Sequence, residues 1–169
     1  LGVEKDSNKR YLNSRSWDFN VASQGWRYHM SNIMAAIGIE QLKKREQFST
    51  RRKAIAKFYN KLLRNNSNIN LLNRDYKNIV PHIYVIRISH LFDRDGLKEA
   101  MEEKGIEIGI HYKPNHKLTY FKTKKQINLP VTDKVYSEII SLPIHPDISN
   151  NDIHYVVKTL IELLPKFLK

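Results

Sequence analysis

Cysteine is absent from this chain of 169 residues. Its absence removes disulfides, thiolate metal sites and thiol catalysis together, and it agrees with a reducing compartment, so the cytoplasm is the expected location. No run of about 18 apolar residues occurs, so no membrane span is expected, and no charged and then apolar opening segment predicts secretion. An initiator Met is missing too, and the polar opening from Gly2 to Asn13 has no clear period. The chain is therefore expected to be cut from something longer. There is no internal repeat and no recognisable nucleic-acid signature.

Hydrophobic residues make up 41% of the chain and occur in periodic blocks, which excludes a disordered tail and predicts a substantial core. The net charge is +12, of which +9 lies in residues 1–66 and +3 in the remainder. Much of that excess falls between Lys43 and Arg64, where cations interrupt a continuing apolar spacing. A solvated helix face accounts for it, and a basic nucleic-acid-binding module is the alternative.

From Ser31 to about Arg64, Ile33, Ile37, Leu42, Phe48, Ile55, Phe58, Tyr59 and Leu62 follow helical spacing. Such length predicts one bent helix or two consecutive ones, weakest at Gly38 or between Gln47 and Thr50. A buried strand is predicted from His82 to Ile88, then a helix from Gly96 to Lys104 behind Asp93, with Gly105 placed for a left-handed C-terminal residue. A second strand is expected over Ile106 to Tyr112 and a loop from Lys113 to Leu129 with an exposed Lys122 to Lys125 cluster. A helix from Thr132 to Ile139, a short extended piece Ser141 to Pro146 suited to an edge, and a final helix behind Ser149-Asn150-Asn151-Asp152 complete the order. A small sheet with helices against it is the economical architecture.

Gly25-Trp26-Arg27-Tyr28-His29-Met30-Ser31 carries the first chemical suggestion. If extended, it places Trp26 and Tyr28 on one face to pack and Arg27 and His29 on the other. Ser31 stands where its hydroxyl caps a helix whose free N–H groups favour an anion. Arg27, His29 and that helix start suit a phosphate or carboxylate. Equally, Trp26 and Tyr28 serve as core, Arg27 as a surface charge and His29 as a satisfied histidine.

The segment from Gly25 to Gly38, then Gln41-Leu42, Arg51-Arg52, Tyr59, His82 to Ile86, Lys104-Gly105-Ile106, His111-Tyr112-Lys113-Pro114-Asn115-His116 and Ser141-Leu142-Pro143-Ile144-His145-Pro146 resemble, in order and spacing, the C-terminal part of the DegT/DnrJ/EryC1/StrS family of PLP-dependent sugar aminotransferases. The likeness runs from about Trp17 to Leu164. It implies an α+β fold: the small C-terminal domain of the aspartate-aminotransferase fold (fold type I), a small sheet packed by helices and preceded by a long connecting helix. By the same resemblance, residues 1–30 end the large PLP-binding domain, 31–65 connect, and 66–169 form the small domain.

The resemblance further implies pyridoxal 5'-phosphate as cofactor and amino transfer, usually from glutamate, to a keto group on a nucleotide-linked sugar for polysaccharide or deoxyamino-sugar synthesis. It implies a homodimer with shared active sites, in which the segment like Gly25 to Ser31 reaches the cofactor phosphate of the partner. Arg27, His29 and Ser31 are the implied cofactor contacts, although family members usually carry Asn at the position of Arg27 and Arg at that of His29. Trp26, Tyr28, His111, Tyr112 and His116 are the substrate candidates.

No lysine here resembles the family's Schiff-base lysine, so the chain alone is expected to be inactive. A noncatalytic or dehydratase relative is the other family outcome. A packing role for the His111 to His116 loop stays open, and a metal held by His111 and His116 would lack a third ligand. His145 reads as a structural turn residue, and Asp93, Asp147 and Asp152 as capping or turn residues. Neither nucleic acid nor membrane is expected as a partner.

Overall fold

The computed structural model describes residues 23–26, 28–88, 92–121 and 128–168. Expectations for Arg27 and the Lys122 to Lys125 cluster lie outside these residues. The chain divides into two units, Leu1–Lys43 and Lys44–Lys169.

In the first unit, helix α1 spans Asn32–Lys43 and buries none of its residues. Ser31 begins it as expected: its Oγ accepts from Met34 N at 3.3 Å and its carbonyl from Ala35 N at 2.9 Å. The interruption falls at Lys44, before helix α2 (Arg45–Leu63), and at neither expected weak point. Gly38 lies inside α1, where a glycine costs about 1 kcal/mol relative to Ala but does not break the backbone ladder.

The second unit holds a core built on a stripe of α2, where Ile55, Ala56, Tyr59 and Leu63 are buried. Strand β1 (Ile69–Leu71) pairs antiparallel with β2 (Tyr84–Ile88), which pairs antiparallel with β3 (Ile139–Leu142), in the order β1-β2-β3. Tyr84, Ile86 and Ile88 are buried while Val85 and Arg87 are half-buried, the period-2 signature of a two-faced strand. Arg87 forms an ion pair with Glu138 at the end of helix α4 (Pro130–Glu138).

Helix α3 (Arg94–Glu102) starts on Asp93, whose carboxylate accepts from Gly96 N at 3.1 Å. Gly105, at φ +72°, reverses the chain after it, and Ile106 N bonds back to Met101 O at 3.0 Å. Helix α5 (Asn150–Leu163) opens with a capping box between Ser149 and Asp152, and it packs on α2 and α3 through Ile153, Val156, Val157 and Leu160. Asp93 and Asp152 are thus capping residues, and Asp147 lies in the turn before Ser149.

The strand reading needs correction: the short extended piece expected over Ser141 to Pro146 is strand β3 at Ile139–Leu142, with both prolines beyond its end. The stretch from Ile106 to Tyr112 is no strand: Gly109 alone pairs, through an isolated bridge to Ser141. Ile106 and Ile108 are buried around an exposed Glu107, so the alternation reports burial without a partner strand to complete the ladder. Conversely, β1 is too short and Asn-flanked to declare itself in the sequence. The solvated-face reading of the basic helix is also incomplete. Arg51 donates to Pro146 O, Ile148 O and Asn150 Oδ1, and Lys53 Nζ to Lys77 O at 2.9 Å. Among the described residues, no helix is long and apolar enough to cross a membrane.

Candidate functional site

The segment before α1 is irregular and open. Trp26 is 68% exposed and Tyr28 87%, and His29 and Met30 are exposed as well. The expected packed face of Trp26 and Tyr28 is therefore not formed: no strand or core lies in the described part of this unit to receive it. His29 is exposed, and Ser31 Oγ accepts from its own helix, a bond that does not use the hydroxyl proton. The N–H groups of the first helical residues, Asn32 and Ile33, have no intrahelical acceptor by the geometry of a helix start.

In the second unit the chemistry gathers around His111. The backbone of Gly109 donates to Ser141 O at 3.0 Å and accepts from Ser141 N at 2.7 Å, which brings the chain before His111 against β3. His111 Nδ1 then lies 2.9 Å from Ser141 Oγ. The imidazole sits over Gly109 so closely that a Cβ there would be 2.5 Å from its Cε1. Tyr112 closes edge-on against the ring, with centroids 4.9 Å apart, and is itself 68% exposed. The peptide between these two residues is cis.

His111 and Ser141 line a cleft of about 740 Å3, together with Arg52, His82, Glu107 and His145. Arg52 Nε is buried with no hydrogen-bond partner among the described residues. Arg52 and three imidazoles of this lining, those of His82, His111 and His145, stand against two carboxylates, Glu107 and Asp152, and offer donors to ligands rich in acceptor oxygens. His145 is the turn residue expected, its carbonyl accepting from Ile148 N at 3.3 Å, and it belongs to this lining as well. Sequence reasoning also missed Gly109 and Ser141, whose roles depend on a pairing between residues far apart in the chain.

His116 takes a different place. Its Nε2 meets Asp133 Oδ1 at 2.9 Å, the same oxygen that Lys117 Nζ approaches at 2.9 Å, and its side chain is 11% exposed. Lys117, and then His116, holds the Asp133 carboxyl below its usual range. His111 and His116 therefore bond to separate partners, and among the described residues no three His, Cys, Asp or Glu side chains gather to hold a metal.

Residues 1–161 match the DegT/DnrJ/EryC1/StrS aminotransferase family. The chain belongs to that family. Among its relatives, a UDP-4-amino-4,6-dideoxy-N-acetyl-beta-L-altrosamine transaminase of Campylobacter jejuni is 31% identical over 162 residues, covering 94% of this chain and 43% of the relative. An uncharacterised protein of Methanocaldococcus jannaschii is 31% identical over 172 residues, covering 96% and 44%. A Streptococcus pneumoniae protein assigned as a sugar aminotransferase, solved in its PMP form, superposes with a TM-score of 0.84 at 25% identity, covering 98% of this chain and 42% of that one. A sugar aminotransferase of Micromonospora echinospora, at 22% identity and a TM-score of 0.79, shares the fold. This is the α+β architecture of fold type I, and the chain spans less than half the length of these relatives.

Proposed function

We propose that this chain is the C-terminal portion of a PLP-dependent sugar aminotransferase. The full-length enzyme moves an amino group from an amino-acid donor, glutamate, to a keto group on a nucleotide-linked sugar, in cytoplasmic synthesis of polysaccharide or deoxyamino sugars. The observation that carries this reading is the family match across residues 1–161. In the proposed division, residues 1–30 end the large domain, 31–65 connect and 66–169 form the small domain.

The residues present fit one end of the cofactor. Its phosphate is an anion, and the start of α1 supplies the Asn32 and Ile33 N–H groups beside an exposed His29. Ser31, by holding Met34 N, keeps that helix start in order. Arg27 belongs to the same proposed phosphate contact. When bound, PLP supplies the electron sink for amino transfer. In a homodimer, one subunit's segment from Gly25 to Ser31 would serve the partner's cofactor, with Trp26 and Tyr28 toward substrate.

His111 and Tyr112 are proposed to receive the nucleotide sugar. His111 has a ring nitrogen, Nε2, without a partner among the described residues, and Tyr112 has an exposed phenol. His116, tied to Asp133, shapes the loop that presents them.

The test is an absorbance spectrum of the full-length protein purified with PLP, before and after glutamate, with the 169-residue chain as control. A cofactor band that glutamate converts in the full-length protein alone supports the reading. A full-length protein that holds no PLP defeats it.

A further inference from the structure

The contact between Ser141 and His111 has a direction that can be worked out. Ser141 is 4% exposed, and its Oγ has no hydrogen-bond partner among the described residues other than His111 Nδ1 at 2.9 Å. Its hydroxyl carries one proton and more than one lone pair. A buried donor left without an acceptor is costlier and rarer than an acceptor with a spare lone pair. The Oγ–H therefore donates, and Nδ1 accepts.

An accepting Nδ1 is unprotonated, so the neutral ring carries its proton on Nε2. Three further features hold the ring in that orientation. The paired backbones of Gly109 and Ser141 fix the distance between the strand and the loop. The missing Cβ of Gly109 leaves room for Cε1, and Tyr112 packs edge-on against the ring.

The geometry points to Ser141 as a positioning residue that sets the tautomer of His111, so that Nε2–H faces the ligand as a donor and selects an acceptor oxygen of the nucleotide sugar, from its diphosphate or a sugar hydroxyl. This rests on the reading of His111 as a substrate contact. The neighbouring lining groups, Arg52, His82 and His145, add donors or positive charge on the same cleft. Ser141 acts here through His111, to which its hydroxyl is bonded.

Histidine nitrogen NMR on the 15N-labelled 169-residue chain at about pH 8, above the usual histidine range, tests the first half. His111→Gln assigns the signal among the seven histidines. The expected spectrum shows Nε2 protonated and Nδ1 at the shift of a hydrogen-bonded acceptor. Ser141→Ala should take Nδ1 off the hydrogen-bonded shift and admit the Nδ1–H tautomer beside the Nε2–H one, and Ser141→Thr should restore the wild-type pattern. A protonated Nδ1 in the wild type, or a shift indifferent to Ser141→Ala in a folded chain, overturns the inference; the wild-type spectrum decides even if the variant fails to fold.

The second half is read in the full-length enzyme, where Ser141→Ala should raise KM for the nucleotide sugar about tenfold with kcat nearly unchanged, and Ser141→Thr should recover it. The expected NMR pattern with an unchanged KM would leave Ser141 in control of the ring and overturn His111 as a substrate contact.

Discussion

Tyr59 and Tyr84 stack with ring centroids 4.8 Å apart, and each phenol bonds to a different neighbour. Tyr59 Oη donates to Pro143 O at 2.9 Å, and Tyr84 Oη to Asn60 Oδ1 at 2.7 Å. Pro143 directly follows β3 and lines the cleft, so a fully buried side chain of α2 supports its wall. Tyr59→Phe keeps the stack and leaves a carbonyl without its partner. The expected loss is about 1–3 kcal/mol of stability, measured by urea unfolding.

The same pair sets an alkaline limit. Burial raises the phenol pKa of Tyr59 above its usual value of 10.0, and it raises that of Tyr84 first through burial and then through Tyr76 and Tyr59. The folded state thus keeps protons that the unfolded chain releases. This stabilisation is complete below pH 10.0, the unfolded value, and is lost as pH rises toward and through the folded values. Urea midpoints should fall as pH rises above 10.0, and Tyr84→Phe should flatten that fall.

Two glycines should respond to alanine for different reasons. At Gly105 a new Cβ meets nothing within 4 Å, and only the φ of +72° opposes it. Gly105→Ala should cost about 1–2 kcal/mol and leave His111 undisturbed. At Gly109 the Cβ strikes the His111 ring at 2.5 Å. Gly109→Ala should displace that ring, seen as a changed His111 NMR signal, with a cost of about 1–3 kcal/mol.

Ser149 closes the N-terminus of α5 reciprocally with Asp152. Ser149→Ala should lower stability by about 1 kcal/mol, and Ser149→Thr, which keeps the hydroxyl that Asp152 accepts from, should restore most of it. Thermal unfolding of the three proteins makes the comparison.

Helix α1 exposes Ile33, Met34, Ile37, Ile39 and Leu42, each by more than half. The 169-residue chain should therefore self-associate and bind a hydrophobic dye. Ile37→Lys with Leu42→Lys should reduce both in sedimentation and fluorescence measurements; a monodisperse wild-type chain that binds no dye would contradict this.

The helices were legible because their apolar periodicity and caps are local: Ser31, Asp93, Gly105 and Ser149 each act within a few residues of themselves. Strand β2 was legible from its β-branched and aromatic run. Pairing was not, because it depends on partners distant in sequence, which is why β1 was missed and Ile106 to Tyr112 was over-read. At the candidate site, His111 and Tyr112 stood out by residue type. Ser141 and Gly109 did not, since a serine in a strand and a glycine in a loop acquire meaning only when the fold brings them to one imidazole. The basic run misled in part, because Arg51 serves as a clamp on the loop before α5.

The two-way backbone bridge between Gly109 and Ser141 bears on engineering. It couples the His111 loop to a buried strand so that neither is a portable module. Transplanting the His111 loop into a relative would require the matching strand to travel with it, because His111 bonds the Ser141 side chain and a Cβ at Gly109 would strike its ring. Randomising them jointly, as a single cassette split across the gene, is the search that the architecture favours.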